Sequence, residues 1–238
     1  FGRCRAPLVY DFDDAIFTTE VRRQNWLAAW KERRNSRGVP AMLQICQLAV
    51  VENDYTAAFA ARYCPRTLQI TGPIDTDHYR PGPDRDRREV VLGWIGSAST
   101  LPYLDLIRAP LVELARRCPE VRLHIVGAAG AAIDGIETVA VAWSLEDEVA
   151  QLQDFDIGLM PMPDDPWTRG KGGYKLLQYM ATGLPVVTSP VGINQQIVDD
   201  GGQGYWARSE EEWLERMAAL VGDRAMRRRM RGAGRKRV

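Results

Sequence analysis

Arg169-Gly170-Lys171-Gly172-Gly173-Tyr174-Lys175-Leu176-Leu177-Gln178-Tyr179-Met180-Ala181-Thr182-Gly183-Leu184-Pro185-Val186-Val187 passes from a basic, glycine-rich turn into a helical stripe and then, after Gly183, into an apolar strand. Leu177, Met180, Ala181 and Leu184 recur at the spacing of one helix face, so packing accounts for them. It does not account for Arg169, Lys171 and Lys175 gathered at the helix start. Glycine lets a ligand approach the main chain closely, and the unpaired N–H groups and positive dipole end of a helix attract an anion. The stretch therefore predicts an anion site, with a diphosphate as the best match, on Arg169, Gly170, Lys171, Gly172, Gly173, Lys175 and Leu176. Lys171 and Lys175 are four apart and are expected to share a helix face, where an anion or a carboxylate relieves their repulsion.

Upstream and downstream of this stretch, short apolar runs alternate with helical patterns: Val90 to Ile95, Val121 to Val126, Thr138 to Ala142, Asp156 to Met160, Pro185 to Ser189 and Gly204 to Trp206. Such alternation predicts a doubly wound parallel sheet with helices on both faces. Helices are expected near 101–117, 145–153 and 209–221. Pro102 marks the first start, and the spacings Ser144 to Asp147 and Ser209 to Glu212 suit capping boxes at the other two. Open sheets of this kind bind ligands beyond the carboxyl ends of their strands. Gly96, Ser97 and Ser99 follow one such end and Trp143 another, which makes the hydroxyls candidates for phosphate contact and the indole a stacking surface for a base. Capping by Ser99 or Thr100, and core packing of Trp143, are the competing readings.

Before Val90 the pattern changes. Leu8-Val9-Tyr10 enters the acidic Asp11-Phe12-Asp13-Asp14, helical segments follow near 20–34 and 52–63, and Thr67 to Ile70 precedes the Pro/Gly-rich stretch from Gly72 to Pro83. That stretch reads as an interdomain linker. About two strands are too few for an independent doubly wound sheet, so residues 1–80 are expected to be the end of a domain that begins elsewhere. Residues 81–222 are expected to form a second, Rossmann-like domain, and 223–238 a basic C-terminal helix.

The chain of 238 residues is 45% hydrophobic and 26% charged, with 31 basic and 31 acidic side chains, which is an ordinary composition for a soluble protein and gives no electrostatic case for nucleic acid. No apolar run approaches the roughly 20 residues of a membrane helix, and no signal-peptide core follows residue 5, so the cytoplasm is the expected compartment. Cys4, Cys46, Cys64 and Cys118 show no metal or redox spacing and are expected to be reduced and mostly buried. His124, inside a strand pattern, and His78 are not expected to be catalytic. Asp11-Phe12-Asp13 spells the Asp-x-Asp of metal-dependent transferases, yet only ten residues precede it, too few for the nucleotide-binding unit that motif needs upstream. Arg224 to Arg237 holds eight basic residues among fourteen, either a solvated helix face or a peripheral contact with anionic lipid at the inner membrane face.

Four segments together resemble the donor-binding half of GT-B glycosyltransferases of the retaining family-four type. They are Gly93-Trp94-Ile95-Gly96-Ser97, Leu123-His124-Ile125-Val126-Gly127, Asp156-Ile157-Gly158-Leu159-Met160-Pro161 and the run from Lys175 to Gly192. Similarity extends to Tyr10 through Ala15 and to Ile74 through Pro81. The resemblance implies two Rossmann-like domains, a nucleotide-sugar donor held by the second, and transfer with retention to a glycan, lipid or small-molecule acceptor. It also implies no metal or other cofactor.

The family usually carries two glutamates eight positions apart around the phosphate-binding helix, where this chain has Gly170 and Gln178. Gln178 can still bond ribose hydroxyls. Asp164 or Asp165, in the loop from Pro161 to Gly170, is the candidate replacement carboxylate and the catalytic assignment. The family's basic residues after the first strand are replaced by Ser97-Ala98-Ser99-Thr100, which transfers the diphosphate charge to Arg169, Lys171 or Lys175. The rival reading is a non-catalytic nucleotide or nucleotide-sugar binding module. A nicotinamide dehydrogenase is disfavoured, because Gly93 and Gly96 do not make Gly-x-Gly-x-x-Gly.

Overall fold

A computed structural model describes residues 6–18, 26–85 and 87–238, and the chain divides into two units. Unit 1 comprises the residues up to Pro73 together with Asp164–Gly173 and Val191–Ile193; unit 2 comprises Ile74–Pro163, Tyr174–Pro190 and Asn194–Val238. The expected continuous domain over 81–222 is thus interrupted twice by segments that pack with unit 1. The basic C-terminal helix, expected as a separate piece, belongs to unit 2.

Unit 2 is a six-stranded sheet with every neighbouring pair parallel. Its strands are β4 (Val90–Ile95), β5 (Val121–Val126), β6 (Thr138–Val141), β7 (Ile157–Met160), β8 (Val186–Thr188) and β9 (Gly204–Trp206), in the spatial order β6-β5-β4-β7-β8-β9. Winding proceeds outward from β4 in one direction and from β7 in the other, so the chain reverses between their carboxyl ends. This is the doubly wound Rossmann order, in which ligands bind beyond the carboxyl ends of the strands at the switch. The central strands β4 and β7 are buried along their whole length, as covering by helices on both faces requires.

Around the sheet run α3 (Arg108–Arg117), α4 (Glu148–Gln153), α5 (Tyr174–Ala181), α6 (Asn194–Ile197), α7 (Glu210–Gly222) and α8 (Arg224–Arg237). The helix expected over 101–117 is two pieces, a 3-10 turn at Leu101–Ile107 followed by α3. Pro110 has no N–H to donate to the preceding turn, so it fits the first turn of a new helix better than the middle of a long one. Ser209 caps α7 as expected, accepting from Glu212 N at 3.2 Å. The core joins Leu92, Trp94, Leu123 and Ile125 of the sheet to Leu104, Ile107, Leu111, Leu114, Met217 and Leu220 of the helices. Close packing also explains two bare positions. A Cβ on Gly93 would lie 1.9 Å from the Phe155 ring, and one on Gly158 would lie 2.7 Å from the Tyr179 ring.

Unit 1 has three parallel strands in sequence order, β1 (Val9–Asp11), β2 (Leu48–Val51) and β3 (Thr67–Gln69), with helices α1 (Trp26–Ile45) and α2 (Asp54–Ala60). Three strands replace the two expected, because Leu48–Val51 follows the apolar end of α1 with only Cys46 and Gln47 between. Phe12, Leu43, Cys46, Ala49, Val51, Ala60 and Cys64 form its core, and the Phe17 and Phe59 rings stack at 3.6 Å. Cys46, Cys64 and Cys118 are free thiols. Cys4 and part of the helix expected near 20–34 lie outside the described residues.

Candidate functional site

In unit 2 the switch point is built from Gly96 and Ser97, which follow β4, and from α5, which leads into β8. Tyr179 of α5 ties the two switch strands together: Ile95 N donates to its hydroxyl at 3.1 Å, and that hydroxyl donates to Leu159 O at 3.3 Å. The ring is fully buried, which pushes the phenol above its usual range. One turn earlier, the Lys175 ammonium lies 4.8 Å from the Trp94 ring centroid. It occupies the space that a side chain on Gly96 would take, since a Cβ there would sit 2.6 Å from Lys175 Nζ. Glycine at 96 therefore lets a cation lie at the switch point. Leu176 is fully buried, so its side chain belongs to the core, and α5 is buried from Leu176 to Ala181 rather than along one stripe. Ser97 and Ser99 share a hydroxyl hydrogen bond of 2.8 Å at the exposed strand end. Thr100 makes no side-chain cap bond to the following turn.

Trp143 and Gln178, assigned from separate signals, meet at a residue that no sequence pattern singled out. Glu148, the first residue of α4, is only 5% exposed. Its carboxylate accepts from Tyr79 Oη at 2.6 Å and from both Gln178 Nε2 and Trp143 Nε1. Gln178 Nε2 also donates to Tyr79 Oη at 3.1 Å, so both amide hydrogens are engaged. Burial and the neighbouring carboxylate push the Tyr79 phenol above its usual range. Trp143 is 50% exposed with its N–H anchored, which fixes a presented indole face at the end of β6. Ser144 does accept from Asp147 N at 3.1 Å, the spacing read from the sequence, but the helix proper begins one residue later, at Glu148. An acidic residue in a first helical turn ordinarily signals dipole stabilisation at a surface, which is why its burial was not legible.

In unit 1 the loop 164–173 folds against the ends of β1 and β2. Arg169 bonds Asp164 bidentately at 2.6 and 3.1 Å, and this holds the exposed Asp164 carboxyl below the usual range. Asp165 Oδ1 accepts from Thr168 N at 2.8 Å, and Thr168 Oγ1 accepts from Asp165 N at 3.1 Å, a reciprocal cap around a buried threonine. Both carboxylates assigned to catalysis thus have partners inside their own loop. Lys171 is not on a helix face with Lys175. Its main chain is extended, Gly173 turns the chain at φ +71°, and α5 starts only at Tyr174. Lys171 Nζ instead lies 3.0 Å from Asp14, with its ammonium 4.6 Å from the Trp167 ring centroid. Asn53 Nδ2 donates to Lys171 O at 3.1 Å. Gly170 and Gly172 allow tight packing, since a Cβ on the first would meet Ala15 at 2.4 Å and one on the second would overlap the Glu52 carboxylate at 1.6 Å. Of the three cations read as one cluster, Arg169 and Lys171 belong to unit 1 and Lys175 to unit 2.

Beside this loop a pocket of about 450 Å³ is lined by Asp11, Asp13 and Glu52 among others. Burial first, then Asp13, Asp14 and Asp11, push the Glu52 carboxyl up, and Lys171 opposes them. A carboxyl raised in the folded state favours folding at low pH, and that contribution is lost as pH rises through its folded value. Glu52→Gln is accordingly expected to raise the melting temperature near pH 7 and to leave it unchanged near pH 3, below the ordinary carboxyl range, where the acid is protonated in both states. Thermal melts of the two proteins at these pH values check this. An equal difference at both would remove charge as the cause. Among the described residues no three His, Cys, Asp or Glu side chains converge to hold a metal.

His124 lies in β5 with Nδ1 3.5 Å from Asp154 and its ring edge-on to Phe155; burial and Arg87 lower its pKa. It belongs to the packing, as its strand position suggested. The basic run of α8 is largely engaged in holding the helix to unit 2. Arg235 donates to Tyr79 O, Ala181 O and Thr76 O, and Arg237 to Gln196 O. Among the described residues no helix is long and apolar enough to cross a membrane.

Residues 89–223 match the family described as Glycosyl transferases group 1. A D-inositol 3-phosphate glycosyltransferase of Nocardia farcinica is 26% identical over 180 residues, which are 66% of this chain and 40% of that protein. The chain therefore spans well under half the length of this relative. Among solved structures, the sucrose-phosphate synthase of Thermosynechococcus elongatus superimposes with a TM-score of 0.73 at 16% identity, over 96% of this chain and 62% of the other. HepE of Anabaena, solved in complex with UDP-glucose, gives 0.69 at 17% identity, over 98% and 67%. At these identities the superpositions speak to fold alone, the Rossmann-like α/β architecture of GT-B glycosyltransferases.

Proposed function

The chain belongs to the group 1 glycosyl transferases, and from that premise we propose that it contributes the donor-binding part of an enzyme that transfers a sugar from a nucleotide-sugar to an acceptor with retention of configuration. The observation that carries the reading is the Lys175 ammonium at the switch point, admitted by the bare Gly96. A nucleoside diphosphate leaving group needs positive charge and main-chain donors on its oxygens. Lys175 with the amides at the start of α5 supplies both within unit 2. Trp143 offers a face for the base, and Gln178, with its amide hydrogens held by Glu148 and Tyr79, presents its carbonyl oxygen to a ribose hydroxyl. HepE, which shares the fold, has been solved with UDP-glucose, in line with such a donor.

Retention and the family-four assignment rest on the likeness of the run from Lys175 to Gly192 to that group. The anionic lining of the pocket in unit 1 favours an uncharged acceptor over a phosphorylated one. Neither role requires a metal. Gly170 in place of the family's first glutamate favours the second reading, a nucleotide-sugar binding module without turnover.

A thermal-shift series with UDP, GDP, ADP and their sugars tests the proposal, because a ligand that binds only the folded state raises apparent stability by mass action. One nucleoside diphosphate and its sugar are expected to raise the melting temperature. Absence of any response at saturating concentration sinks the donor site. Binding without sugar transfer or hydrolysis, in the full-length protein, leaves the binding module in possession.

A further inference from the structure

At the opposite edge of the unit 2 sheet, before the amino ends of β4, β7 and β8, a pocket of about 60 Å³ is lined by six arginines and three carboxylates. The carboxylates are already engaged. Asp84 is paired with Arg224 at 3.5 Å and with Arg228. Asp156 accepts from Arg87 at 2.9 Å and from Val91 N at 2.8 Å, and Glu89 lies 3.7 Å from Arg122, outside the lining. Two guanidiniums have no carboxylate partner among the described residues. Arg227 donates to Leu220 O at 2.5 Å and to Val221 O at 2.9 Å, at the carboxyl end of α7, and Arg231 donates to Gly82 O at 2.5 Å. Both are half-buried and stand four residues apart on α8, where like charges repel.

Half-buried guanidiniums whose direct hydrogen bonds go to neutral carbonyls keep further N–H donors that an anion can satisfy. Burial lowers the pKa of Arg227, with Asp156 and Asp223 opposing and Arg224 adding to the effect. Arginine presents a planar fork of donors suited to the oxygens of a tetrahedral oxyanion, and a pocket of this size takes a small group and not a nucleotide. We propose that this pocket binds a phosphate-type oxyanion, either free or as the headgroup of an anionic lipid, between Arg227 and Arg231. The site lies across the sheet from the switch point occupied by Lys175 and stands independently of the donor reading.

The test uses the whole chain with inorganic phosphate as probe, at ionic strength matched with chloride, followed by calorimetry and thermal shift. A parallel arm measures flotation with phosphatidylcholine vesicles with and without phosphatidic acid. Phosphate is expected to raise the melting temperature saturably, to do so equally in Lys175→Met, and to bind on the order of a hundredfold more weakly in Arg227→Gln/Arg231→Gln, the loss of one charge-assisted hydrogen bond from each arginine. Arg231→Lys, which keeps the charge, should recover part of the affinity. Arg231→Gln alone leaves the Arg227 contacts to α7 in place and serves if the double variant does not fold. Flotation on phosphatidic acid that the same substitutions abolish, without a response to free phosphate, identifies the lipid headgroup as the source. A phosphate response untouched by the substitutions, or no response to either probe, overturns the proposal.

Discussion

Glu148→Leu is expected to destabilise unit 2 by about 3 kcal/mol and to abolish detectable donor binding. The carboxylate accepts from three side-chain donors, those of Tyr79, Gln178 and Trp143, and leucine fills much of the volume while accepting from none. Each buried donor left without an acceptor costs about 1–3 kcal/mol, less whatever water recovers. Tyr79 and Gln178 are the buried partners, whereas the Trp143 indole reaches solvent, so the stability loss comes from the first two. The binding loss comes from the other consequence, an indole and a carboxamide no longer held in place.

Glu148→Gln separates these effects. It keeps the shape and one acceptor oxygen, so stability is expected to fall by about 1 kcal/mol while nucleotide affinity drops further than that loss of fold explains. Urea denaturation and calorimetry on the two variants give the comparison. Glu148→Leu binding donor normally would reduce the cluster to packing, and Glu148→Gln matching the unaltered protein in both measurements would remove the positioning role.

Why this residue escaped the sequence is a matter of distance along the chain. Its donors arrive from 5, 30 and 69 positions away, and nothing local marks a first-turn glutamate as buried. What was legible lay in periodicity. The six strands of unit 2 announce themselves as apolar runs between helical patterns, and their alternation implies the doubly wound order whose switch point falls at Gly96. Leu48–Val51 was missed because it continues the apolar end of α1 with no turn residue to punctuate it. Glycine and basic residues at 169–173 were rightly read as a tight turn feeding a helix. Their direction was not readable. Asp14 and Asn53, 157 and 118 positions from Lys171, draw that residue into unit 1, and only the folded chain brings such partners together.

Gly96→Val and Lys175→Met are expected to agree in donor binding and to part in stability, and the disagreement is what locates the site. Valine at 96 would press a Cβ to within 2.5 Å of the Trp94 ring, which is 1% exposed, and within 2.6 Å of Lys175 Nζ. The lysine can swing aside at little cost. The ring cannot, because it is enclosed by the core under the sheet, so overpacking is expected to cost about 1–3 kcal/mol. Methionine at 175 keeps a flexible apolar stem over Trp94 and removes the ammonium with its cation–π contact, so stability is expected to fall by about 0.5–1 kcal/mol, less than in Gly96→Val. Binding tells the other half. An ammonium bonded to a diphosphate oxygen contributes about 1.5–3 kcal/mol, and its loss weakens affinity by about tenfold to a hundredfold. Both variants are expected to lose at least that much for the preferred nucleoside diphosphate, Lys175→Met through charge and Gly96→Val through displacement of the same charge and crowding of the switch point. Calorimetry beside denaturation measures both quantities on the same samples. Lys175→Met with undiminished affinity would move the diphosphate away from the switch point. Affinity retained in Gly96→Val alone would mean that the ammonium reaches the ligand by a path that does not cross Gly96.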